Sequence, residues 1–148
     1  MILDENSRKS QLFESLGAFF FEFSQLEYTI RVFLAARLNL TEAQFDIVTS
    51  PYDFSTLCRI TKEVSIQQFP TKHSTINEIF NKCQKLNENR VRIAHGLWSD
   101  DGTAITARHV SRQSLKANYF FENRSNELII LKNEANQLKA KIIKFCLP

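Results

Sequence analysis

The string Asn87-Glu88-Asn89-Arg90-Val91-Arg92-Ile93-Ala94-His95-Gly96-Leu97-Trp98 holds the residues best suited to chemistry. Ile76, Ile79, Cys83 and Leu86 form an apolar stripe at steps of 3, 4 and 3, and Arg90 and Ile93 take its next two positions. Arg90 therefore stands where a helix calls for an apolar side chain. A buried guanidinium without a partner is costly, so Arg90 needs an acidic partner or a cleft. His95 closes the same helix, just before Gly96. An imidazole titrates near neutrality and can give or take a proton in a reaction. The plainer reading is a helix-terminal histidine favoured by the helix dipole. Five residues on one helix turn through about 500°, leaving Arg90 and His95 roughly 140° apart. A kink or a second subunit is needed to bring them together.

Glu27 offers a complement to Arg90. It is the one charge in the row Phe13, Phe20, Glu27, Leu34. Two charges that each break an apolar row can meet across a helix pair. The alternative for Glu27 is an exposed pair with Arg31 at i,i+4.

The elements that must position these residues are mostly helical. Leu12, Leu16, Phe19, Phe23, Leu26, Ile30 and Phe33 alternate steps of 4 and 3, a heptad seam inside a helix from Ser7 to about Leu38. The second row beside it widens the apolar face, as in a bundle helix with two neighbours. Phe21 and Tyr28 lie off both rows, as scattered surface aromatics or as part of a subunit contact. Thr41–Gln44 reads as a capping box for a short helix, and Asp53 as the N-cap of the next, which runs to about Gln68. Thr75–Glu78 reads as a third start. After Gly96, Leu97-Trp98-Ser99 and Thr103 to Val110 predict a small hairpin around an Asp101-Gly102 type I′ turn. Trp98 would anchor it to the bundle. A polar connection containing Tyr119, Phe120 and Phe121 follows, with the three aromatics covering an end of the bundle. The last helix, Ser125 to Cys146, has the seam Leu128, Leu131, Ala135, Leu138, Ile142, Phe145. Lys139, Lys141 and Lys144 suit the dipole at its end.

Composition agrees with this reading. The chain has 148 residues, 3 Gly and 3 Pro, too few turn residues for a sandwich, barrel or propeller. The expectation is one all-α domain over 1–148, an up-and-down bundle of four to five helices with a small β-hairpin before the last helix. A net charge of +3 permits RNA or an acidic partner without demanding either. Cys58, Cys83 and Cys146 lack CxxC spacing, and the first two fall in apolar helical patterns as buried thiols. His73, His95 and His109 are far apart, so neither a metal site nor a cofactor is expected. No apolar run approaches membrane-spanning length and no signal peptide opens the chain, so the expected location is cytoplasmic and away from membranes.

The string NRVRIAHG resembles the R-x4-H signature of HEPN domains, commonly R-N-x-x-A-H-G. Arg90 and His95 match its defining positions, and Ala94 and Gly96 match frequent neighbours. FSQLEYTIRVFL in the first helix is similar to the F-x-x-L-E-x-x-L-R stretch of some HEPN-like families, with Glu27 as its acid. The resemblance covers most of the chain as pattern and about eight residues as motif. Val91 departs from it: the position after the arginine is often Asn or another polar residue in active members. Asn89 and Arg92 are the neighbours available to substitute.

The resemblance implies a dimeric helical bundle in which Arg and His from two chains line one cleft. It implies a metal-independent endoribonuclease, of the kind found among toxins and phage-defence effectors. Arg90 would hold the scissile phosphate, His95 would move the proton, and Glu27 would orient Arg90. Lys82, Lys85, Arg92, Arg108 and Arg112 are candidates to track the RNA backbone, or are plain solvated surface. The alternative is a non-catalytic HEPN-like dimer serving as an interaction module, for example with a nucleotidyltransferase-type antitoxin. A third reading is an unrelated bundle with Arg90 and Glu27 as a structural pair.

Overall fold

The computed structural model describes residues 4–122 and 125–146, with the side chains of 119–125 and 146 excepted. The proposed role of Tyr119, Phe120 and Phe121 at the bundle end, and any role of the Cys146 thiol, lie outside the described side chains.

Helix α1 spans Glu5–Arg37. Asp4 caps it by accepting a 2.7 Å hydrogen bond from the Ser7 amide. Its seam packs inward as the heptad spacing predicts, burying Phe19, Phe23, Leu26, Ile30 and Phe33. The short helix α2, Glu42–Thr49, starts at the expected capping box, with Gln44 accepting from the Thr41 amide at 2.9 Å. Helix α3, Phe54–Gln68, is capped by Asp53 through the Thr56 amide at 2.7 Å. It lies along the second half of α1. Phe54 meets Phe23 at 4.5 Å between ring centres, and Gln68 donates to the Arg37 carbonyl.

Helix α4 spans His73–His95, three residues longer at its start than the Thr75 box predicts. The reason is a 3-10 turn, Pro70–Lys72, that feeds straight into it. Pro fixes the φ that such a turn needs, so no side-chain cap is required. Helix α5, Ser125–Cys146, returns beside α1 and brings Phe145 against Phe69 at 5.9 Å. Leu128, Ala135, Leu138 and Ile142 are buried as its seam predicts. Helices α1, α3 and α5 run one way and α4 runs against them. The result is an all-α bundle with a small antiparallel sheet between α4 and α5.

That sheet has three strands where the sequence suggested two: β1 Leu97–Asp100, β2 Ile105–Val110 and β3 Ala117–Glu122, in that order. The third strand occupies the segment read as a connection. Two strands are marginal in water, and a third gives the sheet independent pairing. Ile105 and Ala107 alternate inward onto the bundle. The first turn is a four-residue loop, not a two-residue type I′ turn. Asp101 accepts from the Thr103 amide, the Thr103 hydroxyl and the Ala104 amide, at 2.8, 2.7 and 2.8 Å. Gly102 takes φ +87, which only a glycine adopts cheaply. The Thr103 side chain and the two amides pull the Asp101 carboxyl down to about 2. Its ordinary value is 3.8, so this contribution is complete above about pH 4 and lost as pH falls through about 2. Chemical shifts of the Thr103 and Ala104 amides should titrate in that acid window in the wild type. In Asp101→Asn they should stay flat.

Cys58 and Cys83 are free and buried face to face between α3 and α4. The hydrogen bond that the Cys58 thiol donates to Cys83, and the burial, both push the Cys58 thiol far above its ordinary range. The reactive species is the thiolate. Iodoacetamide at neutral pH should therefore leave Cys58 unmodified in folded protein and alkylate it in urea, as mass spectrometry of peptides would show. Rapid native alkylation would contradict this packing.

Candidate functional site

Helix α3 is short, and its start sets the shape of the site. Gln84 of α4 donates to the Ser55 carbonyl at 2.9 Å, so α3 begins level with Gln84. The last three turns of α4 run on beyond it. Asn87, Arg90, Val91 and Ala94 fall within an arc of about 100° on the side that α3 would otherwise cover. They lie beside α1 where α3 does not reach, and this gap leaves Asn87, Arg90 and Val91 half-buried and Ala94 exposed.

Arg90 is half-buried there. Its guanidinium lies over the Phe23 ring, 5.3 Å from the ring centre. Asn87 accepts its one hydrogen bond among the described residues, from Nη2 at 3.0 Å. The Arg90 Nε is buried and unpartnered. No carboxylate lies within ion-pair distance of it among the described residues. A ring face and an amide hold this cation in place without neutralising it.

Glu27 does not orient Arg90. It accepts from Arg31 Nη2 at 2.6 Å, the i,i+4 alternative. Arg31 also donates to the Thr49 and Tyr52 carbonyls. Those two carbonyls fix Arg31 beneath the α2–α3 junction, and Glu27 follows its nearer cation. The residue that holds Arg90, Asn87, was not singled out in the sequence. Its signal was a polar amide three residues before Arg90 on the same helix face.

His95 is exposed at the last position of α4 and makes no hydrogen bond among the described residues. The 140° separation from Arg90 persists, since α4 has no kink before its end. Asn89 and Arg92 lie on other faces of α4 and neither bonds to Arg90. Gly96 is extended, at φ −69 and ψ 152, rather than left-handed, because β1 follows at once. Trp98 serves the cap instead: its indole N–H donates to the Ile93 carbonyl at 3.1 Å. It packs on the core, as expected of an anchor. Lys85, Arg92, Arg108 and Arg112 are exposed.

A second feature escaped the sequence reading. Lys72, Lys82, Lys141 and Lys144 line a cleft of about 390 Å³ between α4 and α5, with Glu78 beside them. Glu78 is engaged by Lys82 at 2.8 Å, leaving a surplus of positive charge. The sequence alone assigns Lys141 and Lys144 to the helix dipole, because their approach to α4 is tertiary. No helix among the described residues is long and apolar enough to cross a membrane. No protein-family model, no curated protein and no solved structure matches this chain.

Proposed function

We propose that this chain is a metal-independent endoribonuclease of HEPN type, acting as a homodimer, in the manner of a toxin or defence effector. The observation that carries the reading is Arg90. A half-buried guanidinium with an unpartnered Nε and no carboxylate is costly to a folded chain. A phosphate in the gap would repay that cost through charge-assisted hydrogen bonds. RNA supplies the rest of the reaction. Its 2′-oxygen attacks the adjacent phosphorus, the 2′-O–P bond forms and the P–O5′ bond breaks. The proton leaving the 2′-OH is replaced on the departing 5′-oxygen, and His95 is the group that moves protons at one of these oxygens. Arg90 stabilises the charge that gathers on the phosphorus oxygens. Lysines of the α4–α5 cleft and the exposed Lys85 and Arg92 give the strand a cationic track.

The test is incubation of the purified chain with unstructured RNA in EDTA. Fragments should carry 2′,3′-cyclic phosphate and 5′-hydroxyl ends. Intact RNA at high protein concentration would remove the nuclease reading. A second reading has an observation of its own. Val91 brings an apolar side chain to the gap, and among the described residues His95 has no hydrogen-bond partner to orient it. Both favour a non-catalytic dimer that docks another protein, such as a nucleotidyltransferase-type antitoxin. That reading expects a stable dimer and no cleavage.

A further inference from the structure

Helix α1 is apolar on two opposite faces. One packs into the core. The other carries Phe13, Phe20, Phe21 and Tyr28, which are 65%, 36%, 61% and 58% exposed, with the Tyr28 ring meeting Phe45 of α2 edge-on at 6.1 Å. Gly17 and Ser24 lie between them. Helical geometry puts these six residues in one arc of about 100°. No charged residue from Phe13 to Tyr28 falls inside that arc: Glu14 and Glu27 flank it, each about 20° beyond an edge, and Glu22 lies on the far side. A surface helix normally turns a polar face to water.

The order of the six residues matters. From the midpoint between Phe20 and Phe21, Gly17 and Ser24 are equidistant, and so are Phe13 and Tyr28. The stripe reads aromatic, small, aromatic pair, small, aromatic in both directions. Two copies of one helix packed antiparallel about a two-fold require such a pattern, since residue i meets j and j meets i. Gly17 supports the same conclusion. A glycine inside a helix costs about 1 kcal/mol against alanine. A Cβ at Gly17 would meet nothing within 4 Å in the subunit. Nothing within the subunit calls for glycine there, whereas the close approach of a second backbone would.

The exposed rings supply about half the area of a standard interface. At 150–250 Å² per aromatic side chain, the four rings leave roughly 450 Å² exposed. A standard interface buries about 800 Å² on each partner, and rim residues such as Ser10 and Val32 extend the patch toward that. We propose that this face of α1 is a homodimer surface, on which a second copy's α1 packs antiparallel, centred on Phe20 and Phe21.

The surface has a consequence for the gap, and that consequence rests on the proposed function. Arg90 lies beside Phe23, and α4 runs against α1. His95 therefore stands about level with residue 18 of α1. A two-fold between Phe20 and Phe21 relates position 18 to position 23. The second copy's His95 comes level with the first copy's Arg90, and both gaps open on the same side of the dimer. The dimer thus sets each His95 at the level of its partner's Arg90 along the paired helices.

Light scattering of the full chain should give twice its 17.2 kDa mass at micromolar concentration. Phe21→Glu should be monomeric, with its dissociation constant raised at least ~100-fold and its helical circular dichroism unchanged. An oxidised mixture of Gly17→Cys and Ser24→Cys chains should yield far more disulfide-linked dimer than either chain alone. A monomeric wild type overturns the proposal. So does a dimer that survives Phe21→Glu and cross-links no better in the mixture. RNA cleavage is read separately. Cross-linking as stated without cleavage leaves the surface standing and removes the nuclease reading, while cleavage by a monomeric chain removes only the surface.

Discussion

Replacing His95 with alanine should lower RNA cleavage by about 10²–10⁴-fold, the range that a positioned proton-transfer group contributes. Folding should be untouched. His95 is exposed at the end of α4 and bonds to nothing among the described residues, so its loss should fall within about 0.5 kcal/mol of the wild-type stability. His73, exposed at the opposite end of α4, is the internal control, and His73→Ala should cut RNA at the wild-type rate. Arg90→Met sharpens the test because its two effects point in opposite directions. Methionine keeps the length and apolar stem of the side chain on the stripe over Phe23. It removes a cation that no carboxylate among the described residues neutralises. Stability should hold or rise, as when buried charges are replaced by apolar groups of similar size. Cleavage should be lost with the guanidinium. Urea titration and an RNA gel on the same preparation check both. Full cleavage by His95→Ala or Arg90→Met removes the proposed roles.

The second large effect lies in the core. Phe19 is fully buried on α1, with its ring 5.6 Å from Phe20 and 6.1 Å from Phe23 between centres. Phe19→Ala should cost about 3–5 kcal/mol, the lost transfer energy plus the cavity that α5 cannot close. For a domain of this size each kcal/mol lowers Tm by roughly 2–4 °C, so a drop near 10 °C is expected. Phe13→Ala removes the same ring from the open face of α1. It should change monomer stability little, because Phe13 is mostly exposed. Denaturant curves of the two variants, measured in a Phe21→Glu background to keep the chain monomeric, separate core from surface on one helix. Similar losses for the two would contradict the two-faced description of α1.

The heptad steps of α1 and α5 were legible because 3.6-residue periodicity is local and long. Phe19, Phe23, Leu26, Ile30, Leu138 and Ile142 all went to the core where their spacing placed them. The caps at Asp4, Thr41 and Asp53 are local too, although Asp4 became plain only in the structure. The misread features depend on distant partners. Glu27 had two cations to choose from, and Arg31 won because Thr49 and Tyr52, some twenty residues away, supply carbonyls that fix it. Strand β3 needs β2 beside it before its residues read as a strand. Arg90 was visible as a charge on an apolar stripe. Its support by Asn87 and Phe23 was not, because a ring from another helix carries no mark in the sequence.

The chain order of the bundle also bears on how it is made. Helix α1 emerges from the ribosome first, yet its main packing partner α5 starts only at Ser125, almost ninety residues after Arg37. At about 5–20 residues per second, some 4–18 s separate the two helices. Throughout that interval a 33-residue helix rich in phenylalanine has its core face without its final cover. The sheet holds the other end late as well, since Arg8 waits for the Gly102 carbonyl and Lys9 for Asp100. The nascent chain is thus a natural client for chaperones that hold exposed aromatic helices, and the fold closes only when its last helix arrives.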